Sequence, residues 1–554
     1  MRLYLGFILL SQSLICINAK ALDSSAQLFS ETNTTQLKSS CSRSNLSPVS
    51  CAHVVTDNDK HFQASCNIGG LGHPCREDNF EAVCCSSENL NPIQSAIDIA
   101  KAESMQLIRL DSGTFEIGNY KTSYGWKVGI HVPSEITIEG INNGDENTTE
   151  IVVSDDIEMP NLDVGIVISE DLNNRNIAAS NISIKKINLD GNNKTNVLIY
   201  GLKSSGNIHL DQIKVRDAKI SGIILGQVAK YHKNPSDPSQ AMIYSFDGIA
   251  DEPNTLTNCE VSDVEVDGIM IIGKHVKVEG CNVKQGNSFY SNGIGTFSGA
   301  AHVQILNNSI QNFKTGIGLD GSFPGYCSAA ENCGDLGQYG AFVNQIGIGR
   351  PEGSGYDIEV RGNFINSGTA QYENGPLGIH VWRGSDVSIN GNNIVGNFST
   401  SSKGIILNET FGSSVFSNLI NNFQIGIELY SNGYSGFFNS ETGELIGTSF
   451  NGIGYDKNPE SQGTKPNFII NSVTGINLTS SNLDGANIAQ NYIVGNQIYC
   501  SFGSTICSHF TGCNLSGSNQ GAEKQYCSSN YDQTNSKTCN FGDKNNHQCQ
   551  SGNP

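Results

Sequence analysis

The sequence is poor in basic residues. Its 554 residues include 33 Lys and Arg against 53 Asp and Glu, which gives a formal net charge of −20. Nucleic acids and anionic membranes carry phosphates that demand a basic protein surface, so we expect neither as a partner. The charge also counts mildly against a polyanionic sugar, unless a metal ion such as Ca²⁺ or a local basic patch intervenes.

The sequence also lacks a long apolar run beyond its first residues, so we expect no membrane span. The first residues have a basic start at Arg2, an apolar run over residues 3–10 and a small-residue region at residues 19–21. These features predict a signal peptide over residues 1–21 and therefore a secreted, extracellular protein. Residues 22–40 are rich in Ser and Thr, and we expect them to be flexible.

No pair of cysteines has the C-x-x-C spacing that is typical of zinc sites. Without Cys16, sixteen of the 17 cysteines remain, an even number that favours disulfide bonds in an extracellular protein. Most of them fall in two Cys-rich segments, residues 41–90 and 500–554. We expect both segments to be disulfide-bonded internally and to cover the ends of the fold between them. Asn-x-Ser/Thr sequons, Asn408 among them, allow glycosylation if the host modifies them.

A Gly-Ile step followed by a short apolar strand recurs along the chain, clearest at residues 377–382. A self-similar period of twenty to thirty residues with Val, Ile and Leu strands indicates a β-solenoid. Its positions are Gly129, Gly165, Gly222, Gly268, Gly293, Gly316, Gly378, Gly404, Gly426 and Gly475.

Each period divides into three strands separated by turns. An Asn comes shortly before an apolar residue of the third strand, at Asn308, Asn363, Asn393, Asn418 and Asn491. Asn tolerates left-handed backbone, and stacked Asn side chains can hydrogen-bond along a column. Three strands per turn with an Asn column resembles the right-handed parallel β-helix of the pectate-lyase-like superfamily. The resemblance covers residues 91–499 and is one of architecture, without a catalytic signature of any family.

The predicted fold is therefore all-β, a right-handed parallel β-helix of about eleven coils. Residues 91–102 predict a short helix with one apolar stripe, Ile93, Ala96, Ile97 and Ala100, which would cover the first coil. Three intervals are long, and we read the excess over residues 227–257, 321–356 and 431–466 as loops. Cys259 and Cys281 occupy equivalent places in neighbouring coils, about 4.8 Å apart, and are predicted to be bonded to each other. Cys327 and Cys333 are predicted to pair locally.

Alternation along the first strand predicts two outward columns of side chains. The first column runs through Ile224, Met270, Gly295, Gly318, His380, Ile406, Glu428 and Asn477. The second column runs through Gly226, Ile272, Phe297, Asp320, Trp382, Asn408, Tyr430 and Thr479. Polar and aromatic residues concentrate between Asp320 and Tyr430, in the superfamily's usual place for a site.

We therefore predict a groove that binds a polysaccharide. The candidate catalytic residues are Asp320, His380, Glu428, Glu409 and Arg383, and the candidate substrate-binding residues are Trp382, Tyr430, Asn408, Tyr372 and Glu373. Trp382, one of 2 tryptophans, offers a face on which a sugar ring can stack. No metal site is assigned.

Three functions remain open. A glycoside hydrolase needs an acid and a base carboxylate, and Asp320 and Glu409 lie two coils apart, about 10 Å, near the range for inversion. A polysaccharide lyase or uronate epimerase would use His380, Arg383 or Tyr430, with Ca²⁺ held by acidic residues. The acidic groove slightly favours hydrolysis of a neutral or weakly charged glycan. The third function is a non-catalytic glycan-binding adhesin or surface-coat protein.

Overall fold

The structure is a computed structural model. It describes, together with shorter segments, residues 91–118, 126–141, 148–154, 162–172, 178–201, 206–226, 252–286, 291–320, 355–368, 375–382, 384–408, 412–431, 451–456 and 463–480. The chain divides into two compact units, residues 1–265 and 266–554.

The described residues of the first unit form one helix, α1 (Pro92–Ala102), and eighteen strands. They are β1 (Cys51–Val55), β2 (Cys75–Glu77), β3 (Phe80–Cys84), β4 (Leu107–Leu110), β5 (Gly113–Ile117), β6 (Lys121–Ser123), β7 (Trp126–Val132), β8 (Thr137–Glu139), β9 (Thr149–Val153), β10 (Leu162–Ile168), β11 (Ile182–Lys185), β12 (Asn188–Gly201), β13 (Ile208–Asp211), β14 (Lys214–Leu225), β15 (Lys230–His232), β16 (Ile243–Ser245), β17 (Asn254–Thr257) and β18 (Glu260–Val264).

Three parallel ladders of strands build this unit, as a β-helix requires. They run β7–β10–β12–β14, β4–β8–β11–β13–β17 and β5–β9–β12–β14–β18. The helix predicted over residues 91–102 is confirmed, with Asn91 as its N-cap and the four residues of its apolar stripe buried. The Asn91 side chain also donates to the carbonyl of Gly129 on β7, at 2.8 Å. β1, from the Cys-rich segment, pairs antiparallel with β4 and covers that strand's edge.

The second unit contains the remaining strands. They are β19 (Asp267–Glu279), β20 (Asn282–Gly286), β21 (Asn292–Leu306), β22 (Ser309–Gln311), β23 (Thr315–Asp320), β24 (Ile348–Gly349), β25 (Gly355–Arg361), β26 (Phe364–Asn366), β27 (Leu377–Trp382), β28 (Gly384–Asn390), β29 (Asn393–Val395), β30 (Lys403–Asn408), β31 (Ser414–Phe416), β32 (Leu419–Asn421), β33 (Ile425–Ser431), β34 (Phe437–Asn439), β35 (Leu445–Ile446), β36 (Gly452–Ile453), β37 (Tyr455–Asp456), β38 (Gly463–Thr464), β39 (Phe468–Ile470), β40 (Thr474–Ser480), β41 (Asn487–Ile488), β42 (Tyr492–Val494), β43 (Gln497–Phe502), β44 (Ser528–Asp532), β45 (Lys537–Asn540) and β46 (Cys549–Ser551).

The first-strand ladder of this unit runs β19–β21–β23–β27–β30–β33–β40–β43. β23 pairs directly with β27, and β33 pairs directly with β40, so the residues between them add no further first strand. They contain insertions together with the second and third strands of each coil, β25 and β26 in the first interval and β36 and β39 in the second. Two of these insertions meet, because β24 of the first pairs with β34 of the second.

Close packing explains the recurring glycines. A Cβ on Gly404 would lie 2.5 Å from the carbonyl oxygen of Gly426, and a Cβ on Gly426 would lie 2.5 Å from that of Gly475. The same added atom would meet an isoleucine of the third strand, Ile420 or Ile469. Any side chain at these positions would therefore push neighbouring coils apart.

A buried ladder of asparagine side chains runs through the second unit. Each Nδ2 donates to the Oδ1 of the next member at 2.8–3.0 Å. Its members are Asn308, Asn363, Asn392, Asn418, Asn467 and Asn491. The prediction of Asn393 was wrong by one residue, because Asn393 is exposed and Asn392 occupies the corner.

Candidate functional site

The two outward columns have the predicted register in the second unit. In the first column, Gly318 pairs with His380, His380 with Ile406, and Ile406 with Glu428. In the second column, Asp320 pairs with Trp382, which also pairs with Asn408, and Asn408 pairs with Tyr430. The candidate residues on these strands are therefore neighbours across successive coils, about 4.8 Å apart at the backbone.

The described side chains differ in exposure. His380, Trp382, Asn408 and Tyr430 are partly buried, whereas Glu428 is buried, with 5% of its surface exposed. Of Asp320, the structure describes the backbone in β23. Tyr372, Glu373, Arg383, Glu409, Cys327 and Cys333 lie outside the described residues. Cys259 in the first unit and Cys281 in the second are each disulfide-bonded.

The carboxylate of Glu428 is engaged by its neighbours. One of its oxygens forms an ion pair with the ammonium of Lys403, and the other accepts a hydrogen bond of 2.9 Å from Nδ2 of Asn477. A buried carboxylate is stable when it is paired with a cation and hydrogen-bonded, as here. Glu428 thus differs from the solvent-facing acid that alternation along the strand predicts.

His380 lies beside two positive charges. Burial, and after it the charges of Lys403 and Lys314, lowers the pKa of His380 from 6.5 to about 4. The imidazole is therefore neutral at neutral pH and has a lone pair that can accept a proton. Lys314 is itself buried, with 4% of its surface exposed, at the residue before β23.

Sequence reasoning missed both lysines. Lys403 pairs with Leu377 and Ile425, at the residue that precedes the recurring glycine. A third column, formed by the residue before each glycine, would have shown Asp267, Asn292 and Lys403 on this face. Lys314 comes two residues before Gly316 and precedes β23, so the two columns drawn along that strand do not include it.

Two further side chains on this face carry buried acceptors. The Oδ1 atoms of Asn408 and Asn477 are buried and have no hydrogen-bond partner among the described residues. Both residues belong to sequons, so a glycan on either would have to displace this packing. Within the described part of the chain, no group of three or more His, Cys, Asp or Glu side chains is arranged to hold a metal ion. Nor does any helix described there have the length and hydropathy of a membrane span.

The arrangement on β27, β30 and β33 thus combines a neutral imidazole, two lysine ammonium groups and a carboxylate already paired with one of them. It provides a base next to positive charge, and Trp382 and Tyr430 lie on the adjacent column. Such a set can remove a proton from a carbon acid and stabilise the negative charge that results.

Comparisons with known proteins return similar structures but no family. No protein-family model matches the chain, and no curated protein sequence matches it. The A-module of the Azotobacter vinelandii mannuronan C-5 epimerase AlgE4 is similar at 14% identity and a TM-score of 0.42, over 77% of this chain and 95% of that one. The pre-mature bacteriophage phi29 gene product 12 is similar at 14% identity and a TM-score of 0.42, over 74% of this chain and 52% of that one. The catalytic domain of a GH87 alpha-1,3-glucanase in complex with nigerose is similar at 12% identity and a TM-score of 0.43, over 80% of this chain and 72% of that one.

Proposed function

We propose that this protein acts on a uronate-containing polysaccharide by removing the proton from the carbon next to the uronate carboxylate. The observation that carries the proposal is the neutral His380 beside Lys314 and Lys403. Reaction at that carbon needs a base that is unprotonated at working pH, and positive charge where the carboxylate gains electron density.

In the proposed step, a ring nitrogen of His380 takes the proton at C5. The electron pair of the broken C–H bond moves toward the carboxylate, whose growing charge the lysine ammonium groups stabilise. In β-elimination, this electron pair then forms the C4–C5 double bond, and the glycosidic oxygen on C4 leaves with a proton from the Tyr430 hydroxyl or water. In epimerisation, a proton returns to C5 from the opposite face and no bond of the polymer breaks.

Basic residues at the candidate site make it suitable for an anionic sugar, even though the whole chain is acidic. The net charge of −20 counts against a polyanionic sugar. On the first-strand face, however, Lys314 and Lys403 lie at the candidate base, and Glu428 already has a counter-ion. Lys403 is the ion-pair partner of Glu428, so Lys314, Lys403 and Glu428 together present one net positive charge to a uronate carboxylate bound there.

Hydrolysis has weaker support from the described residues. Glycoside hydrolysis uses two carboxyl groups, one as acid and one as base or nucleophile. Glu428 is engaged by Lys403 and Asn477, and the side chains of Asp320 and Glu409 are outside the description.

If the chain is a lyase, Ca²⁺ held by acidic residues would be a second means of binding the substrate carboxylate. The extracellular location that residues 1–21 predict would bring the protein to such polymers.

A panel of polysaccharides tests the proposal. The purified protein is incubated in deuterated water with alginate, polygalacturonate and a glycosaminoglycan, and with neutral glucans as controls. Three signals are read together: the ultraviolet absorbance of unsaturated uronates, reducing ends, and deuterium at C5. Elimination gives absorbance with new reducing ends, and epimerisation gives deuterium without them.

The variant His380→Gln should lose the ultraviolet absorbance and the deuterium incorporation, each by about 100- to 10,000-fold in rate. Asn393→Ala, exposed on another strand, is the matched control. New reducing ends on any glycan without absorbance or deuterium would show hydrolysis and refute the proposal. Binding to glycans with none of the three signals would favour the non-catalytic adhesin.

A further inference from the structure

Two of the glycines on the first column lie outside the recurring Gly-Ile step. Gly295 pairs with Met270 on one side and Gly318 on the other, and Gly318 pairs with His380. The column therefore has no side chain on two successive coils next to the candidate base. Met270 and His380 are three strand steps apart, about 14 Å.

Contact with the backbone of neighbouring coils does not require these two glycines, of which Gly295 is buried and Gly318 partly exposed. A Cβ on Gly295 would have its nearest contact at 3.6 Å, an ordinary van der Waals distance, from the side chain of Asn292. On Gly318, the closest atom would be the Asn292 Oδ1, at 2.5 Å, and no backbone atom would be among the nearest three. Gly316, by contrast, would meet a neighbouring carbonyl oxygen at 2.7 Å. Neither Gly295 nor Gly318 has a positive φ, so backbone strain does not explain them.

The Asn292 side chain is held in place beside Gly295 and Gly318. Its Nδ2 donates to Oδ1 of Asp267 at 2.8 Å, and its backbone N–H donates to the same oxygen at 3.3 Å. Asp267 is buried, with 5% of its surface exposed, so the amide is anchored on a rigid partner. Because a carboxylate oxygen can only accept hydrogen bonds, the Asn292 amide turns its Nδ2 toward Asp267. The Oδ1 of Asn292 therefore points away from Asp267.

The Oδ1 of Asn292 is therefore an oriented acceptor above Gly318. Asn292 is partly exposed, and among the described residues its Oδ1 accepts no hydrogen bond. A sugar hydroxyl is a donor suited to such an atom, and a ring resting on Gly318, which is partly exposed, can approach the strand backbone closely.

We infer that Gly318 and Asn292 form a subsite for the sugar unit next to the one at His380, and that Asn292 recognises a hydroxyl of that unit. This inference rests on the proposed function in taking a uronate-containing glycan as the ligand. Asn292 then determines specificity, Asp267 positions it, and the missing side chain at Gly318 admits the ring.

Binding measurements on the full chain test the subsite independently of turnover. Calorimetry with uronate oligosaccharides, from disaccharide to hexasaccharide, is done on His380→Gln protein to prevent conversion. Asn292→Ala is compared with Asn393→Ala, which leaves this face unaltered. Loss of one hydrogen bond should weaken binding of the longer oligosaccharides about 3- to 10-fold and leave the disaccharide less affected.

Gly295→Ala is the second variant, because its added methyl fits the protein without a clash and lies against the side chain of Asn292, at 3.6 Å. It should weaken the longer ligands while the urea midpoint stays unchanged. Parental affinity in both Asn292→Ala and Gly295→Ala would overturn the subsite and leave the assignment of His380 standing. Oligosaccharide binding by a parent that converts no glycan would refute the proposed function, and the same two variants would still test the subsite. A parent that binds no uronate oligosaccharide overturns both.

Discussion

The side-chain amide of Gln94 contacts both backbone polar groups of His131. Its Oε1 accepts from the His131 N–H at 2.7 Å, and its Nε2 lies 3.4 Å from the His131 carbonyl oxygen. Gln94 is buried on α1, and His131 belongs to β7. The Gln94 side chain therefore forms with β7 the two backbone hydrogen bonds that a neighbouring strand would otherwise form.

Gln94→Ala should destabilise the first unit. It would leave the N–H and carbonyl of His131 without these partners, at a cost of about 1–3 kcal/mol. Urea unfolding measures the loss, and hydrogen exchange at the His131 amide locates it. Gln106→Ala, an exposed glutamine just beyond the helix, is the control and should change little. Equal midpoints for the two variants would show that the contact contributes nothing to stability.

Asn392 and Asn393 are adjacent, and we expect opposite results from replacing them. The Asn392 side chain donates to Val360 O and Asn418 Oδ1, and it accepts from the backbone and side chain of Asn363. Asn392→Ala should lower the free energy of unfolding by about 2–5 kcal/mol, because several buried groups lose their partners. Asn393→Ala should stay within about 0.5 kcal/mol. Chemical denaturation of both variants decides, and similar midpoints would contradict the assigned ladder.

The activity should persist at low pH. Since His380 must be neutral to take a proton and its pKa is about 4, kcat/KM should fall only as the pH drops through about 4. A histidine with the ordinary pKa of 6.5 would already lose rate near neutrality. A pH profile on an active polysaccharide distinguishes the two, and a fall near 6.5 would remove His380 from the role of base.

The same shift makes stability depend on pH. Between the unfolded pKa of 6.5 and the folded value of about 4, the unfolded chain binds a proton that the folded chain does not. Stability should therefore decline as the pH falls through this window, by at most about 1.4 kcal/mol per pH unit. His380→Gln should reduce that slope in urea titrations at several pH values. An unchanged slope would mean that His380 does not titrate in this window.

Lys403→Met should be more harmful alone than with Glu428→Gln. The single change leaves a buried carboxylate without its cation, whereas the double change leaves two neutral groups. We expect a loss of about 1–3 kcal/mol for the single variant and recovery of much of it in the double variant. Full additivity in denaturation experiments would show that the ion pair has no coupling energy.

Trp382→Ala should mainly weaken substrate binding. The change removes the aromatic surface on the column beside His380, without removing the base. We expect a higher KM with kcat nearly unchanged, because stacking acts on the ground state and the transition state alike. Trp126→Ala, in the first unit, is the matched tryptophan control. A selective fall in kcat would instead place Trp382 in the chemical step.

The repeat in the sequence was enough to predict the strands and their register. The Gly-Ile step marks residues that face the same place on successive coils, so Gly318, His380, Ile406 and Glu428 were aligned correctly. The helix stripe and the insertions after β23 and β33 followed from equally local patterns. Local spacing does not distinguish Asn392 from Asn393, since the two are adjacent asparagines, and the left-handed residue at this corner is Gly391, with a φ of 63°.

Burial and charge at the site could not be predicted in the same way. Alternation places Glu428 on the outer face, but its exposure depends on Lys403 and Asn477, which reach it from neighbouring coils. The low pKa of His380 likewise depends on lysines that are distant in sequence or off its column. The period fixes which residues are neighbours, whereas side-chain contacts between coils fix their chemistry.

The asparagine ladder also has a direction. Every Nδ2 donates toward the member that is later in the sequence, from Asn308 through to Asn491, so the amide dipoles are aligned head to tail. Aligned amides polarise one another, and each bond strengthens the next. A substitution in the middle, at Asn392 or Asn418, would divide one polarised chain into two shorter ones, whereas a substitution at Asn308 or Asn491 would only shorten it. The loss of stability should therefore depend on where the ladder is interrupted, and it should be larger for a central member than for a terminal one.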